Sequence, residues 1–222
     1  MPLSEEQKKS LVIATDRYAE NLEGVLPYLE SRGITEAIAH SRGLGLVKDP
    51  ILEHKHARDR LSIPYVTPAG PVAMSFRCVI DHNCKEENLR LQAINKKWKH
   101  SKYVKPAGQD PELYGVRDAF KDSRDIHIAE GEIDTIVLSE LCGLPALGIS
   151  GAKYWLPWWV EVLRDFRKVF VYCDGDEAGE QLGNKIQKEL GLAAILIKLP
   201  DGEDVNSIYL MGGADALRGM KK

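Results

Sequence analysis

The stretch that decides the fold is VFVYCDGDEAG, residues 169–179. Five apolar or aromatic residues run directly into Asp174 and Asp176, which flank Gly175. A short, continuous apolar run is typical of a strand that is buried on both faces, as in parallel sheets. Residues 177–190 predict a helix that ends at Gly191. We therefore expect a strand, a sharp acidic turn and a helix in this order.

Strand and helix patterns alternate on both sides of this stretch. IHIAE (126–130), LPALGIS (144–150) and AAILIKL (193–199) predict further strands, and helices are predicted after Gly131 as far as Cys142–Gly143, at 155–166, 205–211 and 214–220. Such alternation predicts an α/β domain with a mainly parallel sheet over residues 123–222.

Residues 1–122 have a different pattern, which predicts an α+β domain. Helices are predicted at 4–23, with Ser4 as N-cap and Gln7 three positions later, at 25–31 before Gly33, and from Thr35 to near Gly43. RLSIPYV (60–66) and PVAMSFRCVI (71–80) predict two strands joined by a turn. Residues 81–110 predict a loop-rich excursion, and 112–120 a short helix.

The composition indicates a globular protein. The 222 residues are 44% hydrophobic and 28% charged, as in globular proteins, and no apolar run is long enough to span a membrane. The polar first segment has no apolar core of a signal peptide. The four cysteines, at 78, 84, 142 and 173, form no disulfide framework. These features predict a cytoplasmic protein.

Charge is distributed unevenly. The net charge is −3, but residues 1–122 carry a balance of +2 and residues 123–222 one of −5. Within 85–105 there are seven basic and two acidic residues. A basic half joined to an acidic half suits a protein that holds a polyanion with one and metal with the other.

Acidic residues follow the predicted strands of the second half. Glu130 ends one strand, and Asp174 and Asp176 end another, so their side chains should meet at one edge of the sheet. Hard oxygen ligands of this kind suit Mg²⁺ or Mn²⁺. Asp134 lies one helical turn beyond Glu130, and Asp204 follows the last strand. The alternative is that acids in a helix's first turn simply stabilise the helix, and that DGD is an ordinary turn.

Four motifs together carry a family resemblance. AEGEIDTIVL (129–138), PALGISG (145–151), VFVYCDGDEAG (169–179) and LPDGEDVNSIYLMGGADAL (199–217) closely resemble the toprim domain of bacterial and bacteriophage primases. The resemblance covers about residues 124–220. It implies that Glu130, Asp174 and Asp176 are catalytic and hold divalent metal, with Asp134 and Asp204 at further acidic positions of the pattern.

The first half resembles the same primases more weakly, through YLESRGITEAIAHSRGLGLV (28–47), RDRLSIPY (58–65), SFRC (75–78), HSKYVKPAG (100–108) and ELYGV (112–116). This implies that template or triphosphate is held by basic and aromatic side chains, namely Arg32, Arg58, Arg60, Arg77, Lys102 and Tyr103. The alternative for any one of them is solvated surface charge. Basic residues from Lys96 to Lys105, with Trp98 among them, strengthen the prediction at Lys102.

Cys78, at the end of the second predicted strand, and His82, Cys84 and His100, in the excursion, are suitable zinc ligands. Their spacing lacks the usual C-x2-4-C pair, and Cys78 could instead face the core of its strand. Zinc is therefore a secondary hypothesis beside Mg²⁺ or Mn²⁺.

The function that the resemblance implies is that of a DNA primase, which makes short RNA primers on single-stranded DNA from NTPs. A separate replicative helicase is an expected partner, and the bacterial cytoplasm the expected location. The chain shows neither the zinc-binding module nor the helicase-contacting domain of cellular primases, so it resembles the polymerase core of small phage primases. The alternatives are a toprim-type nuclease and a non-catalytic nucleic-acid-binding protein that keeps the fold.

Overall fold

The computed structural model describes residues 3–151 and 154–220. The chain divides into two compact units. The first comprises the described parts of Met1–Ser31, Thr35–Tyr65 and Ala69–Gln109, and the second those of Arg32–Ile34, Val66–Pro68 and Asp110–Lys222. Across the described ranges, no helix is both long enough and apolar enough to span a membrane.

The first unit combines helices with a small sheet. Its helices are α1 (Glu5–Ala19), α2 (Leu26–Ser31), α3 (Glu36–Ser41) and α4 (Cys84–Ile94), and its strands are β1 (Gly45–Leu46), β2 (Leu61–Thr67), β3 (Gly70–Arg77) and β4 (Tyr103–Val104). The strands lie in the order β1-β2-β3-β4, and β1 pairs with β2, and β3 with β4, in antiparallel fashion. These elements agree with the predicted α+β character.

Local signals set the start of α1 and α3 as predicted. The Ser4 side chain accepts a hydrogen bond from the Gln7 backbone, and the Gln7 side chain accepts one from the Ser4 backbone, so both partners of a capping box are present. Thr35 caps α3 through Ile38. On its inner face α1 buries Tyr18, whose hydroxyl lies 3.1 Å from Nδ1 of His54.

The prediction of a loop-rich excursion over 81–110 is wrong in its first part, because α4 occupies Cys84–Ile94. The Asn83 side chain caps this helix by accepting from the backbones of Lys85 and Glu86. None of the helix residues is buried. The helix escaped the sequence pattern because it has no apolar face to reveal it.

The second unit is an α/β layer structure. Its strands are β5 (Leu113–Tyr114), β6 (Asp125–Ala129), β7 (Ala146–Ile149), β8 (Lys168–Cys173) and β9 (Ala194–Lys198), and its helices are α5 (Glu132–Ile136), α6 (Trp159–Leu163), α7 (Glu177–Leu190) and α8 (Val205–Gly219). The sheet order is β5-β7-β6-β8-β9. Three pairings are parallel and only β5–β7 is antiparallel, so the predicted mainly parallel sheet is confirmed.

Both faces of this sheet are covered. Along β8, Val169 and Val171 lie in one core cluster, together with Trp159 of α6. Phe170 and Tyr172 lie in another, which includes residues of α8. This alternation with period two places successive side chains on opposite faces, which explains why the strand reads as continuously apolar.

Two details depart from the sequence expectation. β5 lies upstream of the expected boundary at residue 122 yet pairs with β7, with Leu113 opposite Ile149 and Tyr114 opposite Gly148. The two predicted C-terminal helical pieces are joined as α8, with a kink at Gly213, whose φ of 65° is left-handed. Glycine adopts this conformation without steric cost.

Candidate active site

Glu130 and Asp174 lie at the same end of neighbouring strands. β6 ends at Ala129 and β8 at Cys173, and the two strands are parallel with Ile128 opposite Val171. The residue that follows each strand is therefore carried to the carboxyl edge of the sheet. This is the edge at which the sequence predicted a convergence of carboxylates.

The environment of the Glu130 and Asp174 carboxyl groups disfavours their ionised forms. Oε1 of Glu130 and Oδ1 of Asp174 are buried and have no hydrogen-bond partner among the described residues. Burial, followed by repulsion from Asp176 and Asp134, raises the pKa of Glu130 to about 7. Burial, followed by repulsion from Asp134, Glu130, Asp204 and Asp176, raises the pKa of Asp174 to about 8. Unpaired buried acids are costly, and a bound cation would compensate them.

Two glycines of the DGDEAG motif allow this close packing. A Cβ on Gly175 would lie 1.8 Å from the carbonyl oxygen of Pro200, so only glycine lets the turn approach the loop after β9. A Cβ on Gly179 would lie 2.5 Å from the backbone oxygen of Asp174 and 2.8 Å from Oε1 of Glu130. The motif therefore keeps side-chain volume out of the space around the two acids.

Asp176 and Asp204 also have the helix-capping role that was the alternative to metal binding. Oδ1 of Asp176 accepts from the Gly179 backbone at 2.8 Å at the start of α7. Oδ1 of Asp204 accepts from the Ser207 backbone at 2.7 Å at the start of α8. A carboxylate has two oxygens, so a cap uses only part of its capacity to accept.

Asn206 forms hydrogen bonds with both Asp134 and Arg32. The sequence pattern did not identify Asn206 as a site residue. The Asn206 backbone donates to Oδ1 of Asp134 at 2.9 Å, and its amide oxygen accepts from Nη1 of Arg32 at 3.2 Å. Its amide nitrogen also donates to the Arg32 carbonyl at 2.8 Å. Asn206 is only 1% exposed. It has no sequence signal, because its partners are 72 and 174 positions away.

In the first unit, Arg77 is enclosed by aromatic rings. Its guanidinium carbon lies 5.4 Å from the ring centre of Tyr28 and 5.0 Å from that of Tyr103, and Nη1 donates to the Tyr103 hydroxyl. Only 7% of Arg77 is exposed. Stacking of this kind orients Tyr103 and shields the charge of Arg77 from solvent.

The other predicted basic residues of this unit lie nearer its surface. Nη1 of Arg60 donates to the Ser101 carbonyl at 2.8 Å, and Nη1 of Arg58 to the Lys48 carbonyl at 2.6 Å. Lys102 has an exposed side chain, while its carbonyl accepts from the Cys78 backbone at 2.8 Å. Arg60 therefore braces the segment that presents Lys102.

The structure brings together Cys78, His82, Cys84 and His100. Each offers one ligand atom, and the four atoms lie within 4.8 Å of one another. Within the described part of the chain, the acidic side chains of the other unit form no group as compact as this. The four Cys and His residues could hold a metal ion.

Comparison with known proteins places the chain in a family. No family profile matches it. The Gene 57 protein of Mycobacterium phage D29 is 43% identical over 116 residues, which cover 52% of this chain and 75% of that protein. The DNA primase of Pseudomonas aeruginosa is 26% identical over 226 residues, which cover 86% of this chain but 33% of that protein. The chain thus spans about a third of the length of that cellular primase.

Solved structures give the fold. The RNA polymerase domain of Mycobacterium tuberculosis primase DnaG, in complex with a double-stranded DNA oligomer with a 6-nucleotide overhang, superposes with a TM-score of 0.76 at 20% identity, covering 100% of this chain and 81% of that one. The resemblance to toprim-type primases drawn from the sequence is confirmed. The chain therefore belongs to the family of the Gene 57 protein of Mycobacterium phage D29, and its fold is that of the catalytic core of DnaG primases.

Proposed function

We propose that this protein is a DNA primase, which makes short RNA primers on single-stranded DNA in a metal-dependent, template-directed reaction. The proposal is carried by two buried carboxyl oxygens, one of Glu130 and one of Asp174, at the carboxyl edge of a toprim-type sheet. Neither has a hydrogen-bond partner among the described residues. The names of the cellular relatives and of the structural neighbours support the same activity.

Glu130, Asp174 and Asp176 would hold Mg²⁺ or Mn²⁺, with Asp134 and Asp204 beside them. The donor set fits, because hard divalent cations prefer carboxylate oxygens and the raised pKa values of Glu130 and Asp174 mark an uncompensated negative site. When bound, such an ion neutralises phosphate charge and assists the attacking hydroxyl.

The protein's own residues would position the nucleotides. Arg32 is held through Asn206, which also bonds Asp134, so a guanidinium belongs to the same hydrogen-bonded chain as an acid of the site. We infer that Arg32 contacts the triphosphate, since guanidinium groups match phosphate geometry. Phosphoryl transfer depends mainly on such positioning and on charge neutralisation.

We propose that basic and aromatic residues of the first unit bind the template strand, chiefly Arg58, Arg60, Lys102 and Tyr103. Basic side chains follow the phosphates of a single strand and aromatic rings stack with its bases. Further expected partners are NTPs and a separate replicative helicase. The phage relative supports a site of action in the cytoplasm of a bacterial host.

The activity is tested by incubating the purified protein with single-stranded DNA, labelled NTPs and Mg²⁺ or Mn²⁺. We expect short RNA products that depend on both template and metal, and the products are resolved on a denaturing gel. Cut DNA without RNA would instead identify a toprim-type nuclease. Bound but unchanged DNA would identify a non-catalytic binding protein.

Lys102 should matter more to template binding than the neighbouring charges. We expect Lys102→Ala to reduce primer synthesis and single-strand affinity more than Lys96→Ala, because Arg60 and the pairing of β4 hold the Lys102 backbone in place. Each lost phosphate contact also reduces the salt dependence of binding, by a slope of about 0.7 for single strands. Titration of single-stranded DNA at two salt concentrations measures both effects, and equal behaviour of the two variants would remove Lys102 from the site.

A further inference from the structure

We propose that Cys78, His82, Cys84 and His100 bind one structural Zn²⁺ ion. The ion fastens the β3–β4 excursion, which in the structure comprises residues 79–101, to the ends of β3 and β4. This site is separate from the carboxylates of the second unit. It stands on the geometry of four side chains and does not depend on the proposed priming activity.

The two nitrogen–sulfur distances fit a tetrahedral zinc site, and the nitrogen–nitrogen distance is shorter than the tetrahedral value. With Zn–S near 2.3 Å and Zn–N near 2.0 Å, tetrahedral ligands lie about 3.3 Å apart for two nitrogens, about 3.5 Å for nitrogen and sulfur, and about 3.8 Å for two sulfurs. Nε2 of His82 lies 3.4 Å from Sγ of Cys84, 3.7 Å from Sγ of Cys78 and 2.9 Å from Nε2 of His100. The donor set, two thiolates and two imidazoles, is a common one for structural zinc.

Hydrogen bonds alone do not account for this convergence. Three neighbours surround a single ring nitrogen, Nε2 of His82, which carries at most one proton and so donates to one partner at most. A cation among the four atoms would be bound by a lone pair from each. A disulfide between Cys78 and Cys84 would leave the approach of the two histidines unexplained.

Apolar burial contributes little to holding the excursion in shape. α4 buries none of its residues, and its apolar Leu89 and Ile94 are 67% and 62% exposed. Small segments that cannot build an apolar core are usually stabilised by disulfides or metal. A metal cross-link supplies the missing stabilisation.

Hydrogen bonds from the backbones of Cys78 and His100 anchor these two ligands to different parts of the first unit. The Cys78 backbone donates to the Lys102 carbonyl at 2.8 Å, at the end of β3. The His100 backbone donates to Oδ1 of Asn88 in α4 at 2.9 Å, and Cys84 is the first residue of that helix. Such outer contacts orient metal ligands and increase affinity. The ion would thereby hold Lys102 in the position required by the proposed template contact.

Metal content tests the proposal directly. Wild-type protein, expressed in zinc-containing medium and purified without chelator, is analysed by plasma mass spectrometry. We expect one zinc per chain. Cys84→Ser and His100→Ala should bind zinc more than about a hundredfold more weakly, since even changes outside the ligand shell cost 10–100-fold. Cys142→Ala and His40→Ala are the matched controls and should keep one zinc.

Replacement by Co²⁺ provides a second measurement that does not depend on how the variants fold. The wild type should show the visible absorption of tetrahedral cobalt together with thiolate charge-transfer bands. Absence of both signals, zinc-free wild type after reconstitution, or two free thiols in place of four would each overturn the proposal, the last by revealing a disulfide.

Amide hydrogen exchange shows which part of the protein the metal stabilises. After a zinc chelator is added, the amides of α4 should exchange faster, while those of β6 and β8 should not change. Unchanged exchange in α4 would show that any bound zinc does not hold the excursion.

Discussion

Replacing Asp174 with asparagine is expected to lower primer synthesis on the order of a thousandfold while leaving the fold intact. Burial and the neighbouring acids raise the pKa of Asp174 to about 8, and its buried Oδ1 has no hydrogen-bond partner among the described residues. Metal-ion catalysis supplies several kcal/mol of stabilisation, and each 1.4 kcal/mol corresponds to about tenfold in rate. Initial rates of RNA synthesis at saturating Mg²⁺ measure the loss.

Asp165→Asn is the matched control, since it removes one exposed carboxylate from the same unit. It should retain wild-type activity. Circular dichroism and melting curves of both variants separate a lost site from a lost fold. Full activity in a folded Asp174→Asn protein would exclude Asp174 as a metal ligand and reject the proposed mechanism.

The second large effect is on stability. Without Mg²⁺ or Mn²⁺, the protein should melt several degrees lower at about pH 8.5 than at about pH 5.5. The folded-state pKa values of Glu130 and Asp174, about 7 and about 8, lie above their ordinary values of 4.5 and 3.8. The stability that these protonated acids contribute is fully present below about pH 4 and is lost as the pH rises through 7 and 8. For a chain of this size, about 1 kcal/mol moves Tm by roughly 2–4 °C.

Mg²⁺ should reverse this loss at the higher pH, because the ion compensates the ionised acids and binds only the folded state. Asp174→Asn should flatten the pH dependence and respond less to Mg²⁺, whereas Asp165→Asn should behave as the wild type. Protein dialysed against cation-free buffer, without chelator, is suitable for the scan, since a chelator would also act on the Cys and His cluster. A wild-type Tm that rises between the two pH values would contradict the assignment.

Sequence patterns predicted the elements that have local signals. The capping box at Ser4, the helix that ends at Gly191 and the apolar strand before Asp174 each depend on residues within a few positions of one another. The carboxylate edge followed from these, because parallel strands deliver their carboxyl ends to one side. The placement of Glu130 and Asp174 therefore needed no tertiary information.

Features that depend on partners far away in the sequence were not predicted. β5 is two residues long and exists as a strand only through its pairing with β7. Asn206 gains its role from Asp134 and Arg32. Arg77 was predicted from the family resemblance of SFRC (75–78), but its enclosure by two rings depends on how Tyr28 and Tyr103 pack.

The two ends of the excursion between β3 and β4 are neighbours in the structure. Cys78 and Lys102 are 24 positions apart in sequence, yet one backbone hydrogen bond of 2.8 Å joins them. The entropy of closing a loop grows only with the logarithm of its length, so each doubling costs about 0.6 kcal/mol. Insertions within residues 95–99, which leave Cys78, His82, Cys84 and His100 unchanged, should therefore keep the stability of the β3–β4 pairing nearly the same. The position is a natural point at which to graft a tag or a second binding module without disturbing the sheet.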